Sequence, residues 1–155
     1  MILALILLAG LLPDTDPRTE TAQALHKDGA YAQAESLYKT RIRELEKVPE
    51  GDRNKALIGR LYWMLGHAQA LQSKFADCEE SYLRSIELDS HDLPGAYQNL
   101  TFCLNAQHKW AGTLVVLAHA EIDKATSPAL YHNAAIAYER LGWPEKAKDL
   151  EKKYR

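Results

Sequence analysis

Hydrophobic and polar positions recur along this chain with a helical period almost from end to end. The exception is Ile2 to Leu12 (ILALILLAGLL), an unbroken apolar run closed by Pro13 and the acidic Asp14-Thr15-Asp16. Beyond it, helical patterns are separated by short breaks. These fall at Asp28-Gly29, Val48-Pro49-Glu50-Gly51, Ser73-Lys74, Ser90 to Pro94, Gln107-His108, Ser127-Pro128 and Gly142-Trp143-Pro144, where turn-forming residues interrupt the period. They predict eight helices and almost no strand, hence an all-α fold. Four pairs of small residues recur within that pattern: Ala22/Ala34, Gly66/Cys78, Thr101/Thr113 and Ala135/Ala147. The spacing within every pair is the same, and the second members follow one another at steps of 44, 35 and 34. Small side chains facing each other across a helical hairpin let its two helices cross closely, so the pairs predict a repeated antiparallel two-helix unit.

Large apolar residues frame those pairs at helical spacing. In the first helices of the units they are Tyr62 and Leu65, then Tyr97, Leu100 and Leu104, then Tyr131 and Tyr138. In the second helices Tyr31 and Tyr38 flank Ala34, Phe75 and Tyr82 flank Cys78, and Trp110 and Leu117 flank Thr113. An aromatic therefore opens each of the first three second helices and is expected in the core. One hairpin cannot bury such a stripe on both sides, so the units are expected to stack into a solenoid.

Composition narrows the possibilities. A chain of 155 residues with 46% hydrophobic and 26% charged positions fits one domain or a short repeat array, and excludes wholesale disorder and a multi-span membrane protein. Nineteen basic against 21 acidic residues give a formal charge of −2, with no nucleic-acid footprint. Two cysteines, Cys78 and Cys103, allow at most one internal disulfide. The leading apolar run is short for a bilayer span, which needs about 20 residues, and within the roughly 7 to 15 of an export signal. Residues 1–14 are thus expected to be a signal peptide or an N-terminal anchor helix, the protein's one link to a membrane if it stays uncleaved. The expected setting is exported, periplasmic or attached to the cell envelope. No Lys or Arg precedes the run, and Leu11 stands where a lipoprotein box requires cysteine. The other reading is an apolar helix covering the first face of the domain.

The spacing of the units and their small and aromatic positions resemble the tetratricopeptide repeat family, whose 34-residue unit reads W-x2-L-G-x2-Y, then A-x3-F, then P. The second unit supplies Tyr62-x2-Leu65-Gly66-x2-Gln69 and Cys78-x3-Tyr82; the fourth supplies Tyr131-x2-Ala134-Ala135-x2-Tyr138, Gly142 and Ala147. The first has Gly29-Ala30-Tyr31, Ala34 and Tyr38, and the third Tyr97-Gln98-Asn99-Leu100-Thr101. The resemblance implies an α-solenoid of four helix-turn-helix repeats wound into a right-handed superhelix. It covers residues 15–155, in repeats of about 15–48, 59–92, 94–127 and 128–155. Arg41 stands where a small residue is expected, Ser90 where the second unit's closing proline is, and Glu151 where the fourth has an aromatic. The step after the first unit is longer than the repeat, and the polar stretch Glu46 to Lys55 accounts for the excess, either by lengthening the flanking helices or as a loop. The charged final helix reads as a polar end-cap.

Catalytic chemistry has no evident home. No G-x-S-x-G, Walker loop, dinucleotide glycine fingerprint, H-E-x-x-H or EF-hand loop occurs. The six histidines, 26, 67, 91, 108, 119 and 132, form no i, i+4 pair. A metal site would have to be assembled between units, for instance from His67 and His132 with Glu139. The cysteines read first as buried inert thiols, with a disulfide the alternative that geometry decides. Asn99-Leu100-Thr101 matches a glycosylation sequon but reads as helix interior. No catalytic residue, resident metal or cofactor is expected.

Positions i, i+4 and i+7, starting one residue after each unit's leading core position, share a second face of the first helices. They are Thr19, Gln23, His26; then Trp63, His67, Ala70; then Gln98, Phe102, Asn105; then His132, Ile136, Glu139. The resemblance implies that first helices line a concave groove that holds a partner peptide or helix. The expected groove presents Trp63, Phe102 and Ile136 among His67, Gln98, Asn105, His132 and Glu139, with Arg60 and Arg140 at its margins. An apolar centre inside a polar rim is how interaction hot spots are built. Asn99 and Asn133 match ordinary asparagines of the repeat. The family's carboxylate clamp is not expected, because Thr19 and Gln23 occupy two of its positions. The function implied is a non-enzymatic scaffold binding another protein. The alternatives are a cytoplasmic secretion-type chaperone shielding a hydrophobic client segment, a subunit that makes its contacts through the convex face, and a metal-binding or enzymatic protein using groove histidines.

Overall fold

The computed structural model describes residues 16–88 and 92–154. The apolar run Ile2 to Leu12 lies outside them, as do Ser90 and His91. The described chain is all-α, with eight α-helices and no strand: α1 (Pro17–Lys27), α2 (Tyr31–Glu46), α3 (Lys55–Ala70), α4 (Phe75–Glu87), α5 (Leu93–Ala106), α6 (Trp110–Ile122), α7 (Pro128–Arg140) and α8 (Pro144–Tyr154). Each helix packs mainly on its neighbours in the chain, and α5 also packs on α7.

Odd and even helices begin differently, and the sequence explains why. An Asx or Ser side chain caps every odd helix by accepting from a backbone N–H of the first turn. Asp16 accepts from Arg18 at 2.9 Å, Asn54 from Leu57 at 3.0 Å, Asp92 from Gly95 at 3.0 Å and Ser127 from Leu130 at 3.1 Å. The even helices α2, α4 and α6 have no side-chain cap. They start directly out of a tight turn. In each turn one residue adopts a left-handed conformation: Gly29 (φ 80°), Ser73 (59°), His108 (59°) and, before α8, Gly142 (81°). The next N–H bonds five residues back, from Ala30 to Leu25 (2.8 Å), Lys74 to Gln69 (3.0 Å), Lys109 to Leu104 (2.9 Å) and Trp143 to Tyr138 (2.8 Å). This closure satisfies orphan carbonyls at the end of each odd helix. These four residues follow at steps of 44, 35 and 34, the steps of the small-residue pairs; a fifth left-handed residue, Lys124 (φ 55°), closes the end of α6 in the same way, with Ala125 N–H bonding the Ala120 carbonyl at 2.8 Å.

All eight members of those pairs are buried: Ala22, Ala34, Cys78, Thr101 and Thr113 are fully enclosed, and Gly66, Ala135 and Ala147 nearly so. At Gly66 the approach is closest, for a Cβ there would meet the Tyr82 ring at 3.0 to 3.1 Å. The core divides into three clusters ordered along the chain. One gathers Tyr38, Ile42, Ile58, Leu61 and Leu65. The next gathers Cys78, Tyr82, Leu100, Cys103 and Leu104, and the last Tyr97, Leu117, Leu130 and Leu150. Fully burying each large aliphatic side chain stabilises the fold by roughly 1.5–3 kcal/mol before ordering costs. Tyr31, Phe75 and Trp110, expected in the core, are half-buried instead. They occupy the first position of α2, α4 and α6, at the rim of the packed layer.

A polar joint ties the first hairpin to the second and recurs between the second and third. Glu35 on α2 accepts from Gln72 (2.9 Å) and Lys74 (2.7 Å) in the turn after α3. Glu79 on α4 accepts from Gln107 (2.7 Å) and Lys109 (2.7 Å) in the turn after α5. Both glutamines also bond the carbonyl four residues earlier, Ala68 at 3.0 Å and Cys103 at 3.1 Å. Between α5 and α7 the amides do the joining. Asn133 donates to Thr101 Oγ1 (3.0 Å) and the Gln98 carbonyl (3.2 Å), and Asn105 donates to the Asn133 carbonyl (2.9 Å).

Two departures from the repeat pattern have structural causes. The extra residues of the first unit, expected either to lengthen the flanking helices or to form a loop, do some of each: α2 and α3 are each 16 residues long, and a 3-10 turn, Glu50–Asp52, lies between them. Arg41, standing where a small residue is expected, reaches Asp16 at 3.3 Å and Glu44 at 3.6 Å, in an ionic group that Arg18 completes. Cys78 and Cys103 are joined in a disulfide linking α4 to α5, with Cα atoms 6.4 Å apart and both residues fully buried. The first expectation of free buried thiols is thereby corrected.

Candidate functional site

The odd helices carry the expected groove residues, and the structure separates them into three kinds. Trp63 and His67 on α3 are half-buried and engaged. The Trp63 ring stacks on His67 at 5.8 Å, stands edge-on to Tyr82 at 6.4 Å and packs on the cluster of Cys78, Leu100 and Cys103. Gln98 and Asn105 on α5 are also half-buried. Their polar atoms serve contacts within the fold, with Gln98 Oε1 accepting from Ser127 (3.1 Å) and Asn105 Oδ1 accepting from Thr113 (2.7 Å).

Phe102 is of the second kind. It lies on α5 with 49% of its surface exposed, touching only the edge of Phe75 among the described rings, centroid to centroid 6.1 Å. The α7 residues form the third kind: Glu139 and Arg140 are exposed, and His132 and Ile136 share their helix face. Arg60 on α3 is half-buried, and its Nε is enclosed without a hydrogen-bond partner in the described chain.

His67 has a partner that the sequence did not announce. Its Nδ1 lies 2.8 Å from Nε2 of His26 on α1, and the ring planes are 10° apart with centroids at 4.9 Å. The nitrogens are much closer than the centroids, so the rings meet edge to edge through one N–H···N bond. Burial lowers the affinity of both imidazoles for a proton, and at His26 repulsion from His67 adds to it. His67 is thus committed to α1, while His132 and Glu139 stand apart on α7. Among the described residues no group of three or more His, Cys, Asp or Glu is gathered as a metal site.

A concavity opens beside Tyr62 and Leu65 of α3. It encloses about 400 Å3 between α2, α3 and α4. Lys39 and Arg43 line one wall, Asp77 and Glu80 the other, and Tyr62 and Leu65 form the floor. Opposed charges of this kind favour no single ligand class, and no nucleophile–base pair is among these lining residues.

No protein-family model matches the chain, and no curated protein matches it. No helix among the described residues is long and apolar enough to cross a membrane.

Proposed function

We propose that the four hairpins form a tetratricopeptide-like solenoid, a right-handed superhelix whose odd helices line a groove for a peptide or helix of a partner protein, and that the protein is a non-enzymatic scaffold. Support for the repeat comes from the left-handed turns, the small pairs and the glutamate joints, which follow one another in the same order along the chain. The observation that carries the binding role is Phe102: a large aromatic, half exposed, on an odd helix. A rigid ring of that kind is a characteristic anchor of protein interfaces. Export is part of the same proposal. A buried disulfide between Cys78 and Cys103 suits an oxidising compartment, in line with the signal-like composition of the leading run.

One observation favours a second reading, contact through the even helices. On α6 the positions Ala111, Val115, Ala118 and Ile122 share one face and are all exposed, Val115 at 58% and Ile122 at 75%. A photo-crosslinking amino acid at position 102, compared with one at 115 in the producing cell, separates the two. The groove role predicts a discrete protein adduct from position 102 and none from 115. Adducts from 115 alone would transfer the role to the α6 face.

A further inference from the structure

The His26–His67 bond joins α1 to α3 at 2.8 Å, and Gln23 Nε2 meets Met64 Sδ more weakly beside it, at 3.8 Å. Helix α1 has only 11 residues, too few to hold helical structure without packing. It leaves the hairpin through Gly29, whose φ of 80° marks the turn. Helix α1 packs mainly on α2, and the histidine contact adds a direct tie to α3.

The surroundings leave the imidazoles to each other. From α2, Tyr31 and Tyr38 face His26 edge-on at 5.4 and 6.3 Å. From α3, Trp63 covers one face of His67, and from α4, Tyr82 stands behind Trp63. On the α1 side, Lys27 and Asp28 are exposed. Burial lowers the proton affinity of both rings, and at His26 the neighbouring His67 adds to it. Among the described residues neither ring makes an ion pair, so a second positive charge would meet no counter-ion there.

We propose that His26 and His67 form a proton-operated latch between the first two hairpins, closed while one hydrogen lies between the facing nitrogens and open once both rings are protonated. In the neutral pair one imidazole donates and the other accepts. With one added proton an imidazolium donates to an imidazole, and the contact persists. With two, each facing nitrogen carries its own hydrogen, no lone pair remains to accept, and two like charges meet. The rings then part and α1 lifts from α3. The two steps belong to the pair rather than to either residue. Because the folded state resists protonation and the unfolded or detached state does not, the latch contributes its full stability above the ordinary histidine range and loses it as pH falls below that range.

Hydrogen exchange of the full chain tests the latch. Protection factors of the α1 amides are compared with those of α7 at about pH 8 and about pH 5. The wild type is expected to lose α1 protection in acid by about tenfold relative to α7. The double variant His26→Gln with His67→Gln, whose amides bond without titrating, is expected to show the same relative α1 protection at both pH values. If the double variant loses helicity, His26→Gln alone is compared with the wild type and is expected to lose less α1 protection in acid, His67 still being half-buried. Unchanged α1 protection in acidified wild type, or an acid loss undiminished in the glutamine variant, overturns the latch.

Discussion

The Glu35 carboxylate accepts a hydrogen bond from Lys74 at 2.7 Å, joining the second helix of one hairpin to the turn of the next. Lys39 and Gln72 complete its shell at 2.6 and 2.9 Å. Burial on its own would raise the proton affinity of Glu35; the bonds from Lys39, Lys74 and Gln72 outweigh it and bring the pKa down to about 2. Glu35→Gln is expected to cost about 1–2 kcal/mol near neutral pH, discounted because both lysines reach solvent. The folded-state value is depressed, so this stability is complete above the ordinary carboxylate pKa of 4.5 and is lost as pH falls toward about 2. Urea titrations of wild type and variant should show their difference narrowing across that interval.

Glycine at position 66 is required by the neighbouring ring. A Cβ there would stand 3.0 to 3.1 Å from Tyr82, which is fully buried and has nowhere to retreat. Gly66→Ala is expected to destabilise by about 1–3 kcal/mol through overpacking, against its better helix propensity. Gly51→Ala has open space around the new methyl and is expected to change stability by less than about 0.5 kcal/mol. Thermal denaturation of the two variants checks the contrast.

The Cys78–Cys103 bond closes a loop with a sequence separation of 25. Chain-entropy reasoning for a loop of that size gives about 3.5 kcal/mol of stabilisation. Reduction, or paired replacement of both cysteines by alanine, is expected to lower the unfolding free energy by about that amount. Mass spectrometry after alkylation in denaturant without reductant should find no labelled cysteine.

Phe102 is expected to separate stability from binding. Because it is 49% exposed, Phe102→Ala removes little beyond the Phe75 edge contact and should cost about 1 kcal/mol or less while weakening partner capture. Trp63→Ala is expected to cost more, because its ring packs on the Tyr82 and Cys103 cluster. Denaturation curves measured beside capture assays check both.

Much of this fold is legible in the sequence because its devices are local. Gly29 and Gly142 announce their turns, and evenly spaced small residues announce the hairpins. Ser73 and His108 adopt the same left-handed conformation with no compositional signal, since the turn geometry imposes it on whatever residue stands there. The site is less legible. A helical stripe identifies the face of α5 that holds Gln98 and Asn105, but an amide on that face can meet a partner or a neighbouring helix, and here both bond within the fold. The stripe puts His26 and His67 on the same face of successive first helices, but face membership does not say which side chains meet, and the pair lies 41 positions apart across the irregular insertion.

Ala32, Ala76, Ala111 and Glu145 hold equivalent, exposed positions at the start of the four even helices, at steps of 44, 35 and 34. Spin labels placed there in pairs measure the architecture by electron–electron distances. Stacked units predict similar separations for 32–76, 76–111 and 111–145, with 32–145 clearly the longest. A 32–145 distance no greater than those between neighbours would contradict the solenoid and the groove that depends on it.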